Sequence, residues 1–166
     1  MSQPTTDLPK LDDKKTKNAI EGVFEKYQIF KNTIIEQREA TITASYQDRP
    51  SGPTNVTSDS TADIAVSNVF RTEHRRQFCE NVELAVSRLY PKYREIIELK
   101  YLGDDMPTDY AVYNFKMDHP ISKDTYAKLR RKAFQNLAYS FHAFGIINIQ
   151  SLVDTKRANI RTSSNE

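Results

Sequence analysis

Along most of this chain apolar residues return at three- and four-residue steps, and almost nothing in it can turn a hairpin. Ile20, Val23, Phe24, Tyr27 and Ile34, with Phe30 or Lys31 between them, form one such series. Tyr126, Leu129, Ala133, Leu137 and Phe144 form another. A period near 3.6 residues puts each series on one side of a helix. There are 4 glycines in 166 residues and no Asn-Gly or Asp-Gly pair, so the tight turns of an antiparallel sheet lack their usual residues. The expected fold class is all-α.

Interruptions in the pattern divide the chain. Residues 1–11 are polar, contain two prolines and read as a disordered tail. Asp12 or Asp13 can cap an N-terminal amphipathic helix over residues 12–40. Residues 41–60 carry two prolines, a glycine and many Ser, Thr, Asn and Asp, and read as a linker. A helical domain is expected over residues 61–150. Its first helix, from about residue 61 to residue 89, would turn Ile64, Ala65, Val69, Phe78, Val82, Ala85, Val86 and Leu89 inward, with residues 70–77 too polar for deep burial. Pro91 suits the first turn of the next helix, residues 91–102, with Tyr93, Ile96, Ile97 and Tyr101 as its core edge and Gly103 as its C-cap. Thr108 opens a short helix over residues 108–115, residues 116–121 turn, and Ser122 caps a last long helix that ends near Gly145. Residues 151–166 read as a flexible tail.

Charge singles out that last helix. Residues 122–144 hold five Lys or Arg and one Asp, a local excess of +4, in a chain whose formal net charge is +2; residues 91–121 just before carry −2. At 100° per residue, Asp124, Lys128, Arg131 and Gln135 lie opposite the apolar edge, with Thr125, Ala127 and Lys132 beside them and Phe141 and Arg130 at the flank. A short helix, a turn and a helix with one greasy and one cationic edge make up a helix-turn-helix, spanning about residues 108–144, and such a unit presents its second helix to the major groove of double-stranded DNA. The candidate DNA-binding residues are Lys123, Asp124, Thr125, Lys128, Arg131 and Lys132, with Lys92 and Arg94 at the start of an adjoining helix for backbone contacts. A basic helix face can also serve solubility alone.

Other chemistry leaves little trace. Cys79 is the single cysteine, so no internal disulfide can form, and a reducing cytoplasmic setting is expected. His74, His119 and His142 do not combine with it at any zinc spacing. Asp104, Asp105 and Asp109 lack the glycine-bent loop of a calcium site and read as a solvated acidic turn. No phosphate-cradling glycine loop, nucleophile elbow or Cys/His dyad signature occurs. An enzyme, a metal site and a cofactor are therefore not expected, and no apolar run has the length of a membrane span. The aromatic residues Tyr101, Tyr110, Tyr113 and Phe115 have helical spacing and read as core rather than as base-stacking groups. The stripe from Ile20 to Ile35 suits either a homodimer contact or packing on the C-terminal helices.

Three stretches together resemble the ArpU family of phage transcriptional regulators, which act in packaging and lysis. They are Ile42-Thr-Ala-Ser-Tyr46 with Asp59-Ser-Thr-Ala62, then Tyr93-Arg-Glu-Ile-Ile-Glu-Leu-Lys-Tyr-Leu102, and last Val112-Tyr113 with Ser122, Thr125-Tyr126, Leu129-Arg-Arg-Lys-Ala133 and Leu137-Ala138. The resemblance covers most of residues 15–145. It implies a C-terminal helix-turn-helix similar to sigma factor region four, in which Thr125, Lys132, Ala133 and Leu137 occupy family positions. It also implies an activator of late genes in a phage or prophage of a Gram-positive host, with RNA polymerase as a possible partner. Two rival classes remain open at this point. A small terminase subunit, which packages phage DNA, would assemble into rings. A protein-interaction module for RNA polymerase or a sigma factor would bind without the steep salt dependence of phosphate contacts.

Overall fold

The computed structural model describes residues 8–44 and 59–154. Among them the chain is all-α, with a single isolated bridge, antiparallel, between Leu11 and Val153. The helices are α1 (Asp13–Ala44), α2 (Asp59–Ser87), α3 (Pro91–Ile97), α4 (Asp109–Ala111) and α5 (Lys123–Ala143). A π-helical turn extends α3 over Glu98–Leu102, another extends α4 over Val112–Lys116, and a 3-10 turn covers Ile149–Leu152.

Local chemistry sets several boundaries where the sequence places them. Asp12 opens α1, its Oδ1 accepting from the Lys15 amide at 2.8 Å. Pro91 stands in the first turn of α3. Other boundaries differ. Helix α1 runs four residues beyond residue 40, and α2 begins at Asp59, so the expected linker is shorter at both ends; its remainder, residues 45–58, lies outside the described residues. Gly103 ends the α3 extension in an extended conformation, φ −68° and ψ 164°, rather than as a left-handed cap. Both ends of the described chain take part in the fold instead of trailing from it. Leu11, Ile149 and Leu152 are buried, the Asp12 amide donates to the Leu152 carbonyl at 2.8 Å, and the Asp154 amide donates to the Lys10 carbonyl at 3.1 Å. A tail reading from polarity alone overlooks such main-chain pairing, which any residue type can make. The outer parts of the two expected tails, residues 1–7 and 155–166, lie outside the described residues.

The chain forms two compact units, and their division differs from the expected domain boundaries: residues up to Phe24 join those from Ala85 onward, and Glu25–Leu84 form the other. In the first, α3 packs against α5. Its centre is aromatic. The Phe24 ring stacks on Tyr101 with centroids 4.6 Å apart and meets Phe141 edge-on at 6.2 Å, while Tyr101 tilts against Phe134 at 5.8 Å. Ile20, Val86, Ile97 and Leu137 are fully buried in this unit.

The Glu25–Leu84 unit pairs part of α1 with part of α2. Tyr27, Phe78, Cys79 and Val82 are buried, Phe30 meets Phe78 edge-on at 5.2 Å, and the Tyr27 hydroxyl donates to Glu83 Oε1 at 2.7 Å. Val69, expected inward, is exposed, as is Phe70. The side chains of Ile35, Ile64 and Ala65 lie outside the described residues. Burial, reinforced by the nearby Glu83 carboxylate, pushes the Cys79 thiol up to about 11. The thiolate is the reactive form. Native protein at about pH 8 is therefore expected to resist a thiol-specific disulfide reagent that labels the denatured chain at once; equal rates in both states would contradict this packing.

Candidate functional site

The site is built on α5. Ser122 Oγ caps the helix, accepting from the Thr125 amide at 3.2 Å. At the far end the Gly145 amide donates to the His142 carbonyl at 2.9 Å and the Ile146 amide to the Phe141 carbonyl at 2.8 Å, the pair of bonds that closes a Schellman motif. That motif needs a left-handed residue, and Gly145 supplies it with φ 69°. Between the caps, Tyr126, Ala133, Phe134, Leu137, Ala138 and Phe141 are buried. Phe141, placed at the flank by simple angles, lies at the centre of the buried face.

Fixing that face leaves another outside. Lys123, Asp124, Thr125, Lys128, Arg131 and Lys132 are all exposed. All but Lys123 fall within one arc of about 120° opposite the core, with Lys123 at the helix start. Six of the eight residues singled out from the sequence thus share the solvent side of α5 and its N-terminus. Arg131 is not idle there: its Nη1 lies 3.3 Å from Asp13 Oδ2, and Gln135 Nε2 donates to Asp13 Oδ1 at 3.1 Å. Both partners of the ion pair are more than half exposed, so it restrains Arg131 only weakly.

Lys92 and Arg94 part company. Lys92 is exposed, whereas Arg94 folds back and donates through Nη2 to the Leu89 carbonyl at 3.1 Å, with its Nε buried. Carbonyls beyond the last turn of a helix lack intrahelical partners and attract such donors. In this conformation Arg94 binds the segment that joins α2 to α3 and does not present its guanidinium outward.

Sequence reasoning missed the group that orients the short helix against α5. Thr108 caps α4 through its hydroxyl at 3.2 Å from the Ala111 amide. Asp109, in the first turn, accepts from Arg130 Nη1 at 2.6 Å and from the Tyr126 hydroxyl at 3.2 Å, and its Oδ1 lies 3.3 Å from Lys100 Nζ. Lys100 also donates to the Pro107 carbonyl. Three elements thus meet on one carboxylate. Burial would raise the Asp109 pKa, but Arg130 and Lys100 outweigh it and hold the carboxyl below its ordinary value. Burial likewise raises the Tyr126 phenol, with the Asp109 charge adding to the effect. Arg130 keeps 18% of its side-chain area exposed and serves as a buttress rather than part of the outer face. Beneath it Ile96, Val112 and Tyr126 form a small core, covered by Leu99, Tyr113, Met117, Ile121 and Leu129. Tyr101 and Tyr113 join the core as expected, but Tyr110 and Phe115 are exposed and pack edge-on against one another at 5.8 Å.

Among the described residues no group of three His, Cys, Asp or Glu side chains could hold a metal ion, and no helix is long and apolar enough to cross a membrane. Comparison with known proteins gives one informative likeness. The chain is 22% identical over 136 residues to a protein of Listeria innocua described as an uncharacterized phage-related protein, the match covering 82% of this chain and 93% of that protein. No family model matches the chain. No solved structure matches it.

Proposed function

We propose that this protein is a sequence-specific, double-stranded-DNA-binding regulator of transcription, acting in a phage or prophage through a helix-turn-helix formed by α4 and α5. The observation that carries the reading is the exposed cationic side of α5, with Lys123, Lys128, Arg131 and Lys132 outward and the opposite side buried. The likeness to a phage-related protein supports the setting, and the resemblance to the ArpU family supplies the role, activation of late packaging and lysis genes. In this reading Lys128 and Arg131 face the groove most directly, Asp124, Thr125 and Lys132 flank them, and Lys123 and Lys92 contact phosphates. Asp124 can accept from a cytosine amino group. The parts of α1 and α2 outside the DNA-contacting unit support a homodimer or a contact with host RNA polymerase, and the protein works in the bacterial cytoplasm.

Genome-wide mapping of the DNA it occupies in its host tests this reading. Occupancy clustered at a promoter upstream of morphogenesis or lysis genes is the expected result; occupancy at a packaging start site would transfer the assignment to a terminase subunit, and no enrichment would remove DNA. On the recovered fragment, Arg131→Ala is expected to weaken binding by about 1–3 kcal/mol if the guanidinium reads a base. Unchanged affinity in a gel-shift series would take Arg131 out of the interface.

A further inference from the structure

Between the first turn of α1 and the middle of α5 lies a cavity of about 170 Å³, lined by Asp13, Thr16, Lys17, Arg130, Arg131 and Gln135. We propose that it is a binding site for a small oxyanion of the phosphate class. Two independent observations point the same way. The first is electrostatic. Three cations, Lys17, Arg130 and Arg131, line the cavity against one carboxylate, Asp13, and of the three Arg130 is also bound to Asp109 outside it. The second is an unsatisfied donor. Thr16 lines the cavity, is 1% exposed, and its Oγ1 has no hydrogen-bond partner among the described residues. An orphan hydroxyl in that position is costly unless something in the cavity bonds to it.

The protein already shows the chemistry in miniature. Asp13 places a carboxylate at the cavity wall, where Arg131 and Gln135 grip one oxygen each. A tetrahedral oxyanion offers more acceptor oxygens than that carboxylate and can engage Arg131, Gln135, Lys17 and the Thr16 hydroxyl together. Asp13 is then an internal competitor, which leaves the pair when the anion enters. The apolar remainder of the wall, with Phe134, lowers the local dielectric and strengthens each charged contact. The site stands independently of the DNA reading, although a ligand there would draw on Arg131.

Inorganic phosphate titrated into the isotope-labelled full-length chain, against sodium chloride at matched ionic strength, tests the proposal without DNA. The expected result is a saturable shift of the Thr16 backbone amide and the Gln135 side-chain amide in phosphate alone. Asp13→Asn should tighten phosphate binding about tenfold by removing the competitor. Thr16→Val should weaken it about tenfold while melting no lower than the wild type, since it removes a buried orphan hydroxyl. Identical shifts in chloride and phosphate, or Thr16→Val binding phosphate like the wild type, would overturn the site.

Discussion

Phe141→Ala is expected to cost about 3–5 kcal/mol of unfolding free energy. The side chain is fully buried, its ring edge rests on Phe24, and its carbonyl takes part in the closing motif of α5. Truncation removes aromatic surface from a rigid cluster that includes Tyr101 and Phe134, and stacked and tilted rings cannot easily move to fill the gap. Domains of this size have about 5–15 kcal/mol in hand, so the loss takes a large share. Urea unfolding followed by circular dichroism measures it. A loss under about 1 kcal/mol would mean that the cluster relaxes freely and that α5 is not anchored through Phe141.

The second large effect falls on Asp109. Asp109→Ala leaves Arg130 and Lys100 facing one another across a half-buried site, and Arg130 keeps little solvent. Breaking a fully buried pair costs roughly 3–5 kcal/mol; with Asp109 40% exposed, about 2 kcal/mol is the better expectation. The same residue makes the fold acid-sensitive. Its carboxyl has a pKa below the unfolded value, so the stability it lends is complete above about pH 3.9 and disappears as pH falls through the lower folded-state value. Asp109→Ala should therefore show a shallower loss of stability on acidification below that pH than the wild type. Equal acid profiles for the two proteins would contradict the cluster. Because the carboxylate ties α4 to α5, the proposed DNA reading also expects the variant to bind DNA more weakly without losing any exposed cation.

What the sequence shows and hides follows from distance along the chain. The caps at Asp12, Thr108 and Ser122, the proline opening α3 and the apolar edge of α5 are local, and each was readable within about four residues. The Asp109–Arg130 pair spans 21 positions, and nothing in the residues between them announces it. The helix angle that puts Arg130 at the flank does not reveal that its guanidinium lies 5.3 Å from the centre of the Tyr126 ring. The Leu11–Val153 bridge is a main-chain contact between two segments that read as tails. Tyr110 and Phe115 have the spacing of core residues, but α4 gives way to a π turn after Ala111 and the 3.6-residue period no longer applies there. The outer face of α5 was the most legible part of the candidate site, because one helix with a buried stripe fixes its own opposite side. Arg94 was the least, since its partner is a carbonyl and no side chain marks it.

The salt dependence of duplex binding tests the central claim most directly, on the fragment recovered by genome mapping. If Lys123, Lys128, Arg131 and Lys132 lie against phosphates and bases, affinity should fall steeply as salt rises, and the triple variant Lys123→Ala, Lys128→Ala, Lys132→Ala should flatten the logarithmic slope by about 2–3. A triple variant with the wild-type slope, or wild-type affinity that ignores salt, would contradict the assignment of this helix face to DNA.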